Sequence, residues 1–309
     1  MKNVLKSLDS HRNFLGLGPE HSSFDSSKIV ILPVPYEHSA APKSGTGSGP
    51  QAILHASHDL EGFDVETKRE ISHEHGIATL QPLNFKGKTD EVALQEIHET
   101  VLHLIGLSRF IVTLGGEHII TSAVAAAFAK RSTNLSVLQF DAHSNLRPKF
   151  HGDKYNSASV MARVCEYLDP SRLVQVGVRA QNRGEAEFVR DSKVNVFYAH
   201  DIHGGTYTRF LKYWDDNVVE RLSDNVYVTF DVDAFDPSIM PSTGAPEPGG
   251  LSWSEVLRCL RKVGQRKRIV GFDVVEFAPI TTVHFPDLVA AKLVLKILNY
   301  AMEKDRSPR

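Results

Sequence analysis

The sequence predicts an α/β protein with a three-layer, doubly wound, mostly parallel sheet and helices on both faces. Two observations support this fold class. Short runs rich in β-branched residues alternate along the chain with amphipathic helical segments, and this alternation is typical of parallel sheets. Most of these runs are continuously apolar, which indicates strands buried on both faces. Ligands of such sheets bind beyond the carboxyl ends of the strands.

The predicted elements follow from these two patterns. Seven apolar runs of five to seven residues are predicted as strands: Lys28–Val34, Phe110–Leu114, Leu135–Phe140, Leu173–Val178, Val194–Tyr198, Asn225–Phe230 and Arg268–Phe272. Apolar residues recur at helical spacing between them, most clearly in Asp90–Ile105, Ile120–Ala129, Trp253–Val263 and Ala290–Met302. The linker-like stretches, residues 40–49 and 237–250, are too short to separate domains. A single domain over residues 1–309 is therefore predicted.

Composition limits the classes of partner. The formal net charge is −2 at pH 7, which argues against nucleic acid or an anionic membrane as the main partner. No apolar run reaches the roughly 18 residues that a membrane-spanning helix needs, and the first residues lack the apolar stretch of a signal peptide. The two cysteines, Cys165 and Cys259, fit no disulfide framework. We expect a cytoplasmic protein.

Four predicted strands run into polar residues at their carboxyl ends. The letters GGEH, DAHSN, DVD and DVVE follow in this order along the chain. Since the carboxyl ends of parallel strands share one rim, two histidines and three carboxylates are expected to converge there: His118, His143, Asp141, Asp231 and Asp233. If strand geometry continues, the alternate spacing within DAH and DVD points both side chains of each pair the same way.

These groups predict a site for one or two divalent cations. Mixed nitrogen and oxygen ligands suit Mn²⁺, and Fe, Co, Ni or Zn stay open. Taken singly, each group has a plainer explanation. The GGEH stretch is also typical of a turn that opens a helix. The aspartates are typical of helix caps and turns, and Glu276 is typical of a solvated strand end. These plainer explanations are less convincing for all four groups at once, because four separate strand ends in one sequence carry residues suited to bind a metal ion.

The motifs resemble those of the arginase/agmatinase, or ureohydrolase, family. That family carries GGDH or GGEH, then DAHxD, then SFDxD, and this chain has GGEH, DAHSN and TFDVD in the same order. The stretches DVDAFDPSIMPSTGAPEPGGLSWSEV, VGVRAQNRGEAEF and FDVVEFAP are similar to the agmatinase branch. The segment PVPYEHSAAPKSGTGSGPQAILHAS is a weaker match. The resemblance extends from about Val30 to the last helix.

This resemblance implies an arginase-like fold, a role for each site residue and an assembly. His118 would bind one metal ion, His143 and Asp233 the other, and Asp141 and Asp231 would bridge the pair. The metal ions would supply a nucleophilic water for attack on a guanidinium carbon. Glu276 would bind the small guanidino substrate through charge-assisted hydrogen bonds. Family members also favour homo-oligomers, trimers or hexamers.

Two positions depart from the family pattern. Asn145 stands where DAHxD has its last aspartate, so the metal position of His118 keeps a neutral oxygen and loses one anion. Ser157 stands where agmatinase-like sequences carry the histidine that is thought to pass a proton to the leaving amine. Loss of a general acid costs about 10²–10⁴-fold in rate. His151, six residues earlier, is a candidate replacement, and its alternative is a solvated loop histidine.

The resulting hypothesis is a metal-dependent hydrolase of a linear guanidino compound, with agmatine giving putrescine and urea in polyamine metabolism. Other guanidino substrates stay open, such as guanidinobutyrate, guanidine or arginine, and so does the formimino compound formiminoglutamate. Because of Asn145 and Ser157, a weakly active or non-catalytic homologue that binds or forms oligomers is the main rival. An α/β domain without metal is a further alternative.

Overall fold

A computed structural model describes residues 6–38, 45–204 and 213–304. Its strands are β1 (Ile29–Val34), β2 (Ile77–Thr79), β3 (Phe110–Gly115), β4 (Leu135–Phe140), β5 (Leu173–Val178), β6 (Asn195–Tyr198), β7 (Asn225–Asp231) and β8 (Arg268–Val275). Its helices are α1 (Pro19–Ser22), α2 (Gly49–Ala56), α3 (Ile71–His75), α4 (Asp90–Gly106), α5 (Ile120–Ala129), α6 (Val160–Val164), α7 (Arg183–Ser192), α8 (Ala199–His203), α9 (Trp214–Arg221), α10 (Trp253–Arg266) and α11 (Phe285–Ala301).

The eight strands form one sheet in the order β2-β1-β3-β8-β7-β4-β5-β6, and every neighbouring pair is parallel. Two hydrophobic cores cover its two faces. Helices α2, α9, α10 and α11 contribute to one core, and α4, α5 and α6 contribute to the other. This arrangement confirms the predicted α/β class. That residues 1–309 form a single domain stays a prediction.

Among the elements that differ from the sequence prediction, three have a clear physical reason. The pattern misses the edge strand β2, because its three residues are too few to show a period. Strand β8 continues beyond Phe272 to Val275, where it pairs with the end of β7. Helix α11 begins at Phe285 rather than Ala290, because Pro286 occupies its first turn, where proline is well tolerated.

The sheet order explains why the four polar motifs meet. Strands β3, β8, β7 and β4 are consecutive neighbours in the middle of the sheet. Each runs directly into one of the motifs, so all four motifs lie along one rim. Since parallel strands share a direction, this rim is the carboxyl edge that the fold class predicts for ligands. In the described ranges, no helix combines the length and apolar character needed to cross a membrane.

Close packing of α10 on α11 gives a test of the fold. A β-carbon at Gly264 would lie 2.3 Å from the carbonyl oxygen of Tyr300. We expect Gly264→Ala to lower the free energy of unfolding by about 1–3 kcal/mol through overpacking, despite alanine's higher helix propensity. Urea denaturation measures the change. The control is Gly106→Ala in α4, whose β-carbon would meet only Arg131 Nη2, at 3.5 Å. It should be neutral or stabilising, and equal losses in both variants would contradict the packing argument.

Candidate metal centre

The first group of potential ligands lies between β3, β4 and β7. His118 Nδ1 lies 3.1 Å from Asp141 Oδ2 and 3.2 Å from Asp231 Oδ2. All three side chains are buried. Their ligand atoms lie within 4.8 Å of one another, a spacing that allows one ion to contact all three.

The second group shares Asp141 with the first. His143 Nδ1 lies 2.8 Å from Asp233 Oδ2 and 3.6 Å from Asp141 Oδ1. Asp141 therefore directs one carboxylate oxygen towards each histidine. The His143 side chain is 26% exposed, whereas that of Asp233 is buried, so the second group lies closer to solvent than the first. Asp231 belongs to the first group, and its bridging of both positions stays a prediction.

Backbone N–H groups fix the orientation of the three carboxylates. Asp141 Oδ1 accepts from His143 N at 2.6 Å, and Asp231 Oδ1 accepts from Asp233 N at 2.9 Å. Asp233 Oδ1 accepts from the N–H of Ala142, also at 2.9 Å. The alternate spacing of DAH and DVD thus closes short turns onto the first aspartate of each pair. The expectation that strand geometry continues through these pairs was wrong, since β4 ends at Phe140 and a 3₁₀ turn, Val232–Ala234, follows β7.

The electrostatics of the site are dominated by burial and by the three carboxylates. Burial raises the pKa of Asp231 well above its usual value, and the charges of Asp233 and Asp141 raise it further. Burial alone would lower the pKa of His143, but hydrogen bonds and charge from Asp141 and Asp233 raise it to about 11. Asp141 and Asp231 likewise overcome burial and raise the pKa of His118. The rim therefore has a strong preference for added positive charge.

The outer nitrogen of His118 is held by a buried relay of hydroxyl groups. His118 Nε2 lies 2.9 Å from Thr229 Oγ1, which lies 3.2 Å from Thr121 Oγ1. Thr121 in turn donates to Asp273 Oδ2 at 2.9 Å. Asp273 lies inside β8 rather than at its end, and it is fully buried. Fixing the outer nitrogen orients the ring so that Nδ1 faces the carboxylates.

Glu276 lies beside the first group in a left-handed backbone conformation, with φ 62°. Its Oε1 accepts from the N–H of His118 at 2.7 Å and from Ser157 Oγ at 2.5 Å. Its own N–H donates to Gly116 O at 2.9 Å. Burial raises the pKa of Glu276 to about 7, while the hydrogen bonds from Ser157 and His118 oppose the rise. A left-handed backbone at a residue other than glycine, combined with a carboxylate held by two hydrogen bonds, is typical of a functional site.

The two positions that depart from the family pattern are both part of this network. Asn145 also has a left-handed backbone, with φ 54°, and its Nδ2 donates to Asp141 Oδ2 at 2.7 Å. Ser157 contacts Glu276, as described above. His151 lies exposed in a turn, where its ring packs against Phe150. Its predicted catalytic role stays a prediction.

The donor set of both groups fits divalent cations. Each group offers one imidazole nitrogen and carboxylate oxygens, a combination suited to first-row transition ions. The carboxylates are buried and repel one another, so a cation between them removes an unfavourable interaction. Five of the six predicted ligands lie together in these two groups, and the sixth, Asn145, contacts Asp141. The sequence patterns did not indicate the relay of Thr229, Thr121 and Asp273, which are polar residues within otherwise apolar segments.

Comparisons with known proteins show the family and the fold. The family model described as "Arginase family" matches residues 27–299. An N(1)-aminopropylagmatine ureohydrolase from Synechocystis sp. is 33% identical and covers 92% of both chains. An agmatinase from Bacillus cereus is 30% identical over 84% of this chain and 87% of its own. The crystal structure of the agmatine ureohydrolase of Thermoplasma volcanium superposes with a TM-score of 0.82 at 26% identity, covering 98% of this chain and 97% of that one.

The position of Asn145 gives a test of the first ligand group. We expect Asn145→Asp to tighten Mn²⁺ binding there by about tenfold or more, because it adds an anion beside Asp141, which Asn145 Nδ2 contacts at 2.7 Å. Calorimetric titration in a His143→Asn background measures this group with the second one disabled. Asn195→Asp adds the same charge at the exposed side of β6, where Asn195 Nδ2 donates to Ser171 O, and serves as the control. Unchanged affinity in Asn145→Asp would contradict a ligand role for position 145.

Proposed function

Because this chain belongs to the arginase family, we propose that it hydrolyses the guanidino group of a linear guanidino amine. Hydrolysis of agmatine to putrescine and urea is the reference reaction. The observation that carries the proposal is the pair of ligand groups sharing Asp141, with the carboxylate of Glu276 beside them. The name of the Synechocystis relative makes N(1)-aminopropylagmatine a second candidate substrate.

We assign the ligand groups to as many as two Mn²⁺ ions. His118, Asp141 and Asp231 would hold one ion, with the amide oxygen of Asn145 as a weaker neighbour, and His143, Asp141 and Asp233 would hold the other. When bound, such ions lower the pKa of water to about 7 and so provide a nucleophile at neutral pH. A guanidinium needs this help, because its resonance-stabilised carbon is a poor electrophile.

Glu276 is the group we assign to the substrate's guanidinium. Its Oε1 is already engaged by Ser157 and by the backbone of His118. These contacts fix the carboxylate, and Oε2 is the atom assigned to the guanidinium. A fixed carboxylate offsets the charge repulsion between a cationic substrate and metal ions, and it orients the guanidinium carbon at the first ligand group.

Ser157 holds Glu276 and is a poor general acid at neutral pH, so protonation of the leaving amine is the weak step of the proposed reaction. We keep His151 as the candidate proton donor, since its exposed turn precedes the Ser157 turn in the same loop. We therefore propose slow hydrolysis of agmatine with Mn²⁺. We also propose a cytoplasmic homo-oligomer, a trimer or hexamer, acting in polyamine metabolism.

Urea release from a substrate panel tests the proposed function. The panel contains agmatine, N(1)-aminopropylagmatine, guanidinobutyrate, guanidine and arginine, and formiminoglutamate is tested beside it by release of formamide. We expect urea from the first two, and Glu276→Gln should lower kcat/KM by about 10–100-fold, because a charge-assisted hydrogen bond becomes a neutral one. Glu187→Gln, at an exposed carboxylate paired with Arg183, is the control. A metal-loaded protein that releases no urea from any panel member would overturn the proposal.

A combined variant tests whether the two departures limit the rate. Asn145→Asp and Ser157→His act on different parts of the reaction, so both changes should lower its barrier, although their network contacts through His118 make the effects non-additive. We expect the double variant to hydrolyse agmatine faster than either single variant, with up to about 10²-fold from Ser157→His. Lys154→His, which adds an imidazole to the exposed part of the same loop, is the control. A double variant no faster than wild type would show that these positions do not limit agmatine hydrolysis.

A further inference from the structure

Arg179, directly after β5, makes an unusual set of contacts. Its side chain donates six hydrogen bonds in the described part of the chain, and every acceptor is a backbone carbonyl. The distances run from 2.6 to 3.4 Å, and the acceptors belong to Gly177, Asp233, Ala234, Phe235 and Glu247. The shortest is the bond from Nη2 to Asp233 O, at 2.6 Å. One guanidinium thus binds the turn that carries a predicted metal ligand.

The backbone of Arg179 binds the other half of the same ligand group. Its N–H donates to Ala142 O at 2.8 Å, and Ala142 is the residue between Asp141 and His143. The N–H of Ala142 donates in turn to Asp233 Oδ1 at 2.9 Å. Arg179 therefore joins the DAH segment after β4 to the DVD segment after β7, and it does so from a third strand.

A third set of Arg179 contacts involves Glu247, whose carboxylate faces the outer nitrogen of His143. Arg179 Nη2 and Nε both donate to Glu247 O, at 2.9 and 3.2 Å. The Glu247 carboxylate lies 3.9 Å from His143 Nε2. At this distance the contact is one of charge rather than a hydrogen bond, and the carboxylate faces the outer nitrogen of the imidazole. Arg179 thus fixes the backbone from which Glu247 approaches His143.

We propose that Arg179 is a positioning residue for the His143–Asp233 metal position. The inference rests on the two-metal centre of the proposed function and adds a residue that sets the geometry of one position. Only a planar guanidinium with five N–H donors can serve so many carbonyls at once, so lysine cannot replace it. The His118–Asp231 position, whose histidine is held by the Thr229 relay, should depend on Arg179 much less.

The test measures Mn²⁺ affinity at each position separately. Arg179→Ala and Arg179→Lys are titrated calorimetrically in a His118→Asn background, which leaves the second ligand group complete, and in a His143→Asn background, which leaves the first. We expect a loss of about 10–100-fold at the second position and a change within about twofold at the first. Millimolar guanidinium chloride should restore much of the loss in Arg179→Ala. Arg172→Ala, which removes a guanidinium bonded to Thr133 O, is the control.

Hydrogen exchange on the metal-free proteins provides a readout independent of metal. Arg179→Ala should speed exchange at the amides of Ala142 and Leu251, whose acceptors are Asp233 Oδ1 and Ala234 O. Wild-type affinity and exchange in a folded Arg179→Ala, or equal losses at both metal positions, would overturn the proposal. If Arg179→Ala does not fold, the same two measurements on Arg179→Lys decide. A wild type that binds no metal would refute the proposed function, and the exchange result would still decide the role of Arg179.

Discussion

Three buried aspartates on one rim impose the constraint on which the rest of the site depends. Asp141 lies near both imidazoles, Asp231 lies beside His118 and Asp233 beside His143, and all three carboxylates are buried where water screens their mutual repulsion poorly. Carboxylates buried this closely are unfavourable without opposite charge nearby. In the protein alone, the carboxylates raise the pKa values of both histidines and so favour their charged forms. Divalent cations can replace those protons, since metal binding and proton release are linked.

Backbone N–H groups at the carboxyl ends of the strands help to hold these carboxylates close together. Each aspartate directs one oxygen to a backbone N–H and the other to a histidine. The four strands that carry the motifs are adjacent and buried, so small shifts of one are resisted by its neighbours. Contacts from outside these four strands, such as those of Arg179, connect their loops. The orientation of the three carboxylates therefore depends largely on hydrogen bonds from backbone N–H groups. Substituting most neighbouring side chains would leave those bonds in place.

Sequence reasoning predicts what depends on local pattern and misses what depends on long-range contact. Apolar runs locate seven of the eight strands, and the rule for carboxyl ends places the five candidate ligands on one rim. Strand β2 is too short for a pattern to appear. The pattern places Asp273 beyond a strand end because an aspartate rarely continues a buried strand, yet Thr121 and Tyr227 from other elements bind it inside β8. Arg179 lies in the VGVRAQNRGEAEF segment, but the sequence does not indicate its contacts, because its acceptors are carbonyls of residues up to 68 positions away.

Asn145 shows how a departure at one position affects the metal-free protein and its metal-bound form in opposite ways. Its amide donates to Asp141 Oδ2, so it stabilises that carboxylate when protons are the only counter-charge. An aspartate there would place a fourth carboxylate against the same oxygen, and a bound proton or a cation would be needed to relieve the repulsion. With asparagine at position 145, a cation beside His118 relieves less carboxylate repulsion than it would with aspartate there. The second group contains no such substitution, so we expect the two positions to differ in their affinity for a divalent cation.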